Sequence, residues 1–230
     1  MKNIIKYMAV AVVMAIVFNG CKKNDYIVGG KLESTTTTLT TYDYLKSNRF
    51  KMFDTLLMLV DKAGLKDVIN QKGITFYAPS DYSIDNYLAR RTLEVQNVDP
   101  GKKYTVDTLI KYDLATFKDS LNAYIVPNTV TYSSLTENGV LFKTALGNQT
   151  VISYETTTDP NLGYTGAVST LPRIEYYTFI KGGPLPSPLV ASQIADTVGV
   201  RVLCQTSGLT TATGQLDVLQ NAHVLYFKQN

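Results

Sequence analysis

The sequence predicts an α+β fold in which helices come early in the chain and strands come late. Apolar residues recur at helical spacing before residue 64, whereas the second half of the chain holds runs of β-branched and aromatic residues between turn signals. The chain also contains 16 tyrosines in 230 residues, and tyrosine favours strands. Because helices and strands do not alternate along the chain, the pattern predicts one α+β domain rather than a parallel sheet of βαβ units.

The first 20 residues are predicted to be a secretory signal peptide. Lys2 and Lys6 precede an unbroken apolar run, Met8–Phe18, which is shorter than the span of about 20 residues that crosses a bilayer. The run ends at Gly20 and Cys21, and this ending resembles the lipobox of bacterial lipoproteins. The resemblance implies cleavage before Cys21, a lipid on its thiol and attachment to the bacterial outer membrane. The alternative is an ordinary signal peptide with an incidental cysteine.

Residues 21–41 are predicted to be a flexible tether. Gly29, Gly30 and the threonine-rich segment 34–41 offer no helical face and little apolar surface to bury. Removal of the signal peptide would also remove two lysines and lower the formal charge from +3 to +1. The sequence pI of 8.6 is therefore too mild to indicate a nucleic-acid partner.

The helical part of the domain begins near Tyr42. One apolar stripe at helical spacing contains Phe50, Phe53, Leu56, Leu57 and Val60. Gly64 should end this helix, because glycine tolerates left-handed backbone geometry. A short second helix is predicted over 65–70, and another over about 114–124. Between them, Ser80 or Asp81 is expected to cap a helix that runs through Leu88.

Most strands are predicted from turn dipeptides and β-branched runs. The first, Ile74–Ala78, ends at Pro79. Asn138-Gly139 and Gly147-Asn148 predict two successive hairpins that join strands 129–135, 140–146 and 149–155 into a meander. The remaining predicted strands are 173–180, 199–206, 215–219 and 223–227. Cys204 shares a strand face with Val200 and Val202, which predicts a buried and inert thiol.

Two segments carry a resemblance to the fasciclin-domain family. The first is the strand and turn at 74–84, in which Thr75, Phe76, Ala78, Pro79, Ser80 and Asp81 follow the family signature. The second is the segment 211–219, where Gly214 matches while Thr213 and Asp217 replace the family's Asn and His. The ending around His223 resembles bacterial lipoprotein members. Tyr124 stands at the family's Tyr-His pair, with Ile125 in place of the His.

The resemblance covers about residues 42–228 and implies a β-sandwich or wedge with several helices packed on it, in one domain. Segments near 89–110 and 156–190 are expected to be insertions relative to the usual domain length. The family resemblance also implies an adhesion-like function. The motif residues themselves are expected to be mainly structural, since proline stops, helix caps and glycine turns build the fold.

The sequence predicts a binding module rather than an enzyme. The single histidine, His223, lacks a nucleophile elbow, and one histidine with two cysteines excludes the usual zinc sites. No cofactor or metal is expected.

Expected partners are the membrane, through the lipid, and an envelope or extracellular protein or glycan. Tyr164, Tyr176 and Tyr177 are candidates for the ligand surface, since aromatic rings stack on sugars, although tyrosine also fills half-buried sheet positions. The alternative is an accessory structural subunit of an outer-membrane complex, such as a glycan-uptake system.

Overall fold

The computed structural model describes residues 35–166 and 170–228, and these form a mixed α+β unit. The predicted signal peptide, Cys21 and most of the predicted tether lie outside the described residues. The helices are α1 (Thr41–Lys46), α2 (Asp54–Ala63), α3 (Lys66–Ile69), α4 (Asp81–Gln96), α5 (Val106–Thr108) and α6 (Leu114–Leu121), with a π-helical turn, Leu109–Asp113, between the last two. The strands are β1 (Ile74–Ala78), β2 (Ile125–Val126), β3 (Val140–Lys143), β4 (Gln149–Thr156), β5 (Arg173–Ile180), β6 (Gly199–Thr210) and β7 (Gly214–Leu219).

The seven strands form one sheet in the order β2-β1-β7-β6-β5-β4-β3. All neighbouring strands are antiparallel except β1 and β7, the second and third strands in this order, which run parallel. The chain beyond β3 returns to the opposite edge, where the Ala145 amide donates to the Ile125 carbonyl at 2.8 Å. The sheet is therefore nearly closed into a barrel, and the α+β class predicted from the sequence is confirmed.

The helices begin and end largely where the sequence places them. Gly64 ends α2 in a left-handed conformation with φ of 68°, as predicted. The helix that carries the apolar stripe starts later than expected, at Asp54. Phe50 therefore lies outside α2, and 66% of its surface is exposed. Helix α4 is longer than expected and continues through Gln96, so part of the predicted insertion at 89–110 is helical.

Two predicted strands are wrong. The segment 129–135 contains a 3₁₀ turn, Tyr132–Ser134, because the Thr131 and Ser134 side chains cap it reciprocally. The segment 223–227 ends in a 3₁₀ turn in which Tyr226 and Phe227 have positive φ. This backbone places the Phe227 ring against Tyr124, Tyr177 and Phe179 in the core.

The predicted meander exists with different members. The Gly147-Asn148 turn joins β3 to β4 as predicted, and β5 then supplies the third strand. Asn138-Gly139 does not form a hairpin. Gly139 instead packs on β4, where an added Cβ would lie 2.5 Å from Val151 Cγ1. The predicted insertion at 156–190 contains β5, and the loop after β5 covers an outer apolar cluster of Val151, Ile180 and Ala191.

Residues 35–41 of the predicted tether belong to the folded unit, because they are hydrogen-bonded to it. The Thr37 amide donates to the Thr210 carbonyl at 2.9 Å, and the Thr210 amide donates to the Thr35 carbonyl at 2.7 Å. Thr41 is 1% exposed, and its amide donates to Thr213 Oγ1 at 3.1 Å. Side-chain and backbone groups of β6 and of the turn before β7 therefore fix the start of the domain.

The backbones of β1 and β7 approach each other closely at Gly214. An added Cβ at this residue would lie 2.2 Å from the Ile74 carbonyl oxygen, within the parallel β1–β7 pair. We expect Gly214→Ala to lower the free energy of unfolding by at least about 2 kcal/mol, because the two parallel strands would have to separate. Denaturant titration of the full chain measures this change.

Gly166→Ala is the matched control for this prediction. Among the described residues, an added Cβ at Gly166 meets nothing within 4 Å, so its effect should stay within about 0.5 kcal/mol. Equal stability of the Gly214 variant and the control would contradict the close approach.

Candidate functional site

The motif at the end of β1 joins three separate parts of the chain. Thr75 accepts the Val130 amide at 2.8 Å and donates to the Asn128 carbonyl at 2.8 Å, which fixes the segment after β2. Ser80 Oγ donates to Asn221 Oδ1 at 2.9 Å, beyond the end of β7. Phe76 and Ala78 are fully buried in β1. These residues are therefore part of the interior rather than of an open site.

Asp81 caps a different helix from the one expected. Its two carboxylate oxygens accept the amides of Thr55 and Leu56, each at 2.9 Å, at the first turn of α2. Ser80 occupies the N-cap position of α4, but its side chain makes no capping bond there. Burial raises the pKa of Asp81, while the two amide bonds oppose this shift. The motif thus ties α2 to the start of α4.

Tyr124 and His223 are brought together in the interior. Tyr124 Oη lies 2.9 Å from His223 Nε2, and both residues are fully buried. The Tyr226 amide donates to Tyr124 Oη at 2.7 Å, which leaves the tyrosine O–H to donate towards the imidazole. Burial lowers the pKa of His223 to about 3, so the ring is neutral at pH 7. A buried neutral imidazole bonded to a tyrosine fits a structural role.

Asp217 faces a second buried acid. It is 2% exposed in β7, beside Tyr77 of β1 in the strand register, and Gly208 donates its amide to Asp217 Oδ1 at 2.6 Å. Glu175 of β5 is 3% exposed and accepts the Tyr77 hydroxyl at 3.0 Å. Burial and the Glu175 carboxylate raise the pKa of Asp217 well above its usual range. The sequence analysis did not identify Glu175. The signal that could have done so is an acidic residue among apolar and aromatic residues in the predicted strand 173–180.

The three candidate ligand tyrosines do not form one surface. Tyr177 is fully buried and donates its hydroxyl to the Ala123 carbonyl, so its assignment to a ligand surface is wrong. Tyr164 is half-buried in the loop before β5. Tyr176 is half-buried on the outer face of β5, where the Arg201 guanidinium lies 3.6 Å from its ring centroid. Alternation along β5 places Tyr176 and Tyr177 on opposite faces.

A polar pocket lies next to the Tyr176 face. Arg201 joins the two through a 2.7 Å ion pair with Glu155 at the end of β4. The pocket has a volume of about 320 Å³ and is lined by Glu137, Asn138, Glu155, Thr156, Val190 and Ser192. Its carboxylate, amide and hydroxyl groups are those that bind peptide and sugar hydrogen-bonding groups. No local sequence pattern predicts this pocket, because its residues come from three separate segments.

Within the described ranges, no three His, Cys, Asp or Glu side chains are grouped so that they could hold a metal ion. In the same ranges, no helix is both long enough and apolar enough to cross a membrane. Cys204 is a free thiol, 5% exposed, and burial raises its pKa well above the usual value.

Comparison with known proteins identifies the domain type. The family model of the fasciclin domain matches residues 51–174, and this match ends before β6 and β7. Among solved structures, the chain resembles the FAS1 domain pair of the insect cell adhesion molecule fasciclin I, at 13% identity and a TM-score of 0.41. The similarity covers 80% of this chain and 48% of that structure, so the chain spans about half of its length. Curated protein sequences include no significant match.

The double amide contact of Asp81 predicts a measurable loss of stability on its removal. Asp81→Ala should lower the free energy of unfolding by about 1–2 kcal/mol, because two amides at the start of α2 lose their acceptor. Asp85→Ala is the matched control, since Asp85 is exposed on the same helix. Thermal and urea unfolding of both variants provides the measurement, and equal curves would contradict the capping role.

The lowered pKa of His223 predicts acid sensitivity. The folded state keeps the ring neutral down to about pH 3, whereas the unfolded chain binds a proton below about pH 6.5. Stability from this residue is therefore lost as pH falls from about 6.5 towards 3, by up to about 1.4 kcal/mol per pH unit. His223→Gln should remove this loss, so the stability difference between wild type and variant should shrink as the pH falls. A difference that is constant with pH would contradict the neutral buried imidazole.

Proposed function

The chain belongs to the fasciclin domain family, whose members are generally adhesion modules, and we propose that it is a non-enzymatic binding module of a bacterial cell envelope. Its role would be to hold a protein or glycan partner near the cell surface. The proposal rests on one observation: the family-motif residues lie in the interior, whereas the candidate ligand groups lie at the surface. The family-motif side chains hold the fold together, while the polar pocket at Glu155 opens to solvent and has groups suited to a ligand.

A lipid anchor at Cys21 would hold this module on the outer membrane. The supporting observations are the basic start, the short apolar run and the Gly20-Cys21 ending, followed by a polar linker before residue 35. Several acyl chains hold a protein stably where a single chain does not, because each buried methylene contributes about 0.8 kcal/mol. The linker would then let the folded unit stand off the bilayer.

The anchor is tested by changing the two cysteines separately. Cys21→Ser should abolish incorporation of labelled palmitate and move the protein from the membrane fraction to the soluble fraction, since it removes the acylated thiol. Cys204→Ser is the matched control and should leave both readouts unchanged, because Cys204 is a buried thiol in β6. Membrane retention and labelling of the Cys21 variant would contradict the anchor.

Ligand binding is tested with the full chain in its Cys21→Ser form, first on glycan arrays and in pull-downs of envelope proteins. Equilibrium binding is then measured for each glycan or protein that these assays detect. We expect Glu155→Gln and Asn138→Ala to weaken binding at least tenfold, because these side chains line the pocket. Asp107→Asn is a control at an exposed position on α5. Blank arrays and blank pull-downs at high protein concentration would contradict a binding function, and equal loss in the control would contradict the pocket.

An accessory structural subunit of an outer-membrane complex, such as a glycan-uptake system, is the second candidate. The same anchor and linker support it, because both would keep a domain beside a membrane assembly. Protease shaving of intact cells distinguishes the two functions. Digestion of the domain by external protease supports a surface adhesion module, whereas protection together with specific cross-links to one membrane complex supports the subunit.

A further inference from the structure

The loop between α1 and α2, residues 47–53, presents an exposed aromatic ring among basic side chains. Phe50 is 66% exposed, whereas phenylalanine is among the residues most often buried in folded proteins. Lys46 at the end of α1, Arg49 and Lys51 are all exposed. The Arg49 guanidinium lies 4.6 Å from the centroid of the Phe50 ring, which is a cation–π contact. None of these residues lines the polar pocket that is proposed to bind the ligand.

Hydrogen bonds hold this loop in one conformation, so the exposure of Phe50 is a property of the folded backbone. Asn48 Oδ1 accepts the amides of Phe50 at 3.0 Å and of Met52 at 3.4 Å. The Asn48 carbonyl accepts the Lys51 amide at 3.1 Å. Lys51 has a φ of 57°, a conformation that costs free energy in a residue other than glycine. Backbone strain of this kind clusters at surfaces that make functional contacts.

The family motif fixes the end of the loop that leads into α2. The Asp81 amide donates to the Met52 carbonyl at 2.8 Å, while the Asp81 carboxylate holds the first turn of α2. Tyr82, the next residue on α4, is 54% exposed. Phe50 and Tyr82 thus lie within two residues of one backbone hydrogen bond, and the surface contains two exposed aromatic residues rather than one.

The charge along this segment is positive. Lys46, Arg49 and Lys51 contribute three positive charges to residues 46–54, and Asp54 contributes one negative charge, which leaves +2. Asp54 Oδ2 lies 3.6 Å from Lys51 Nζ, but both side chains are more than half exposed, so water screens this ion pair. The basic groups therefore remain available to an anionic partner.

Exposed aromatic rings next to lysine and arginine are typical of surfaces that bind the interface of a membrane. The ring enters the boundary between headgroups and acyl chains, while the basic groups stay with the headgroup phosphates. We propose that loop 47–53 docks on a bilayer that contains anionic phospholipid. Phe50 inserts at the interface, and Lys46, Arg49 and Lys51 contact the phosphates.

The position of the loop in the chain supports a membrane as its partner, and in this respect the inference rests on the anchor of the proposed function. Fourteen residues, 21–34, separate Cys21 from the described unit, and a chain of that length spans at most about 50 Å. Loop 47–53 follows soon after, beyond α1. A lipid on a linker limits the distance of the domain from the bilayer, whereas docking of the loop also sets its orientation.

A single tryptophan at position 50 tests the docking, because the chain contains no tryptophan. Phe50→Trp in the full chain is reconstituted with brominated phosphatidylcholine vesicles, with or without phosphatidylglycerol. Bromine on the acyl chains quenches only a tryptophan that reaches them. We expect strong quenching in the anionic vesicles, and weaker quenching in neutral vesicles or at about 1 M salt, where charges are screened beyond about 3 Å.

Tyr112→Trp is the matched control for an exposed ring. Tyr112 is 70% exposed and Lys111 Nζ lies 5.0 Å from its ring centroid, but Asp113 follows it, so this site lacks a basic cluster. Its tryptophan should stay in water and escape quenching. An unquenched tryptophan at position 50, equal quenching at both positions, or equal quenching in neutral and anionic vesicles would overturn the proposal.

The basic residues are tested in the Phe50→Trp chain. Arg49→Gln together with Lys51→Gln should lower the ratio of docked to free loop, read from the quenching, by about fivefold for each charge removed. Lys102→Gln together with Lys103→Gln removes the same net charge at exposed positions and should leave the ratio unchanged. Equal effects of the two double variants would contradict docking through this loop. Because the quenching follows position 50 alone, it separates failure of docking from failure of the anchor, which palmitate labelling reports.

Discussion

The parallel contact between β1 and β7 is the constraint on which the rest of the structure depends. Gly214 lets the β7 backbone meet Ile74 at a distance that no side chain permits, and the two motif segments thereby become neighbouring parallel strands. Every other strand adds outward from this pair in antiparallel fashion. Because β1 comes early in the chain and β7 late, this one contact closes the domain over about 140 residues of intervening sequence.

Polar side chains at the ends of these two parallel strands attach the helices and loops. Asp81 holds the first turn of α2, Ser80 holds Asn221, and Thr213 holds the start of α1. Each bond satisfies a backbone or side-chain group that would otherwise be buried without a partner. The motif residues therefore serve to build the fold. Surface residues are not bound by this role, so they can differ according to the ligand.

Two family positions take different partners in this chain. Asp217, at the position of the family's histidine, is buried in β7 and accepts the Gly208 amide of β6, while His223 from the C-terminal segment bonds to Tyr124. The two arrangements respond to pH in opposite directions, because a buried imidazole resists protonation, whereas the buried acids Asp217 and Glu175 resist ionisation. His223 lowers stability as the pH falls below about 6.5, and the two acids lower it as the pH rises above about 4, so the two effects oppose each other where these ranges overlap.

The sequence by itself determined the α+β class, the ends of β1 and β5, the glycine stop of α2 and the family resemblance, because these depend on local spacing and on turn residues. Tertiary structure decided the two 3₁₀ segments, the helix that Asp81 caps, the Tyr124–His223 pair and the burial of the two acids, as well as the pocket at Glu155. These features join residues far apart in sequence. Their partners are set by how the sheet closes, and no local pattern of residues records that geometry.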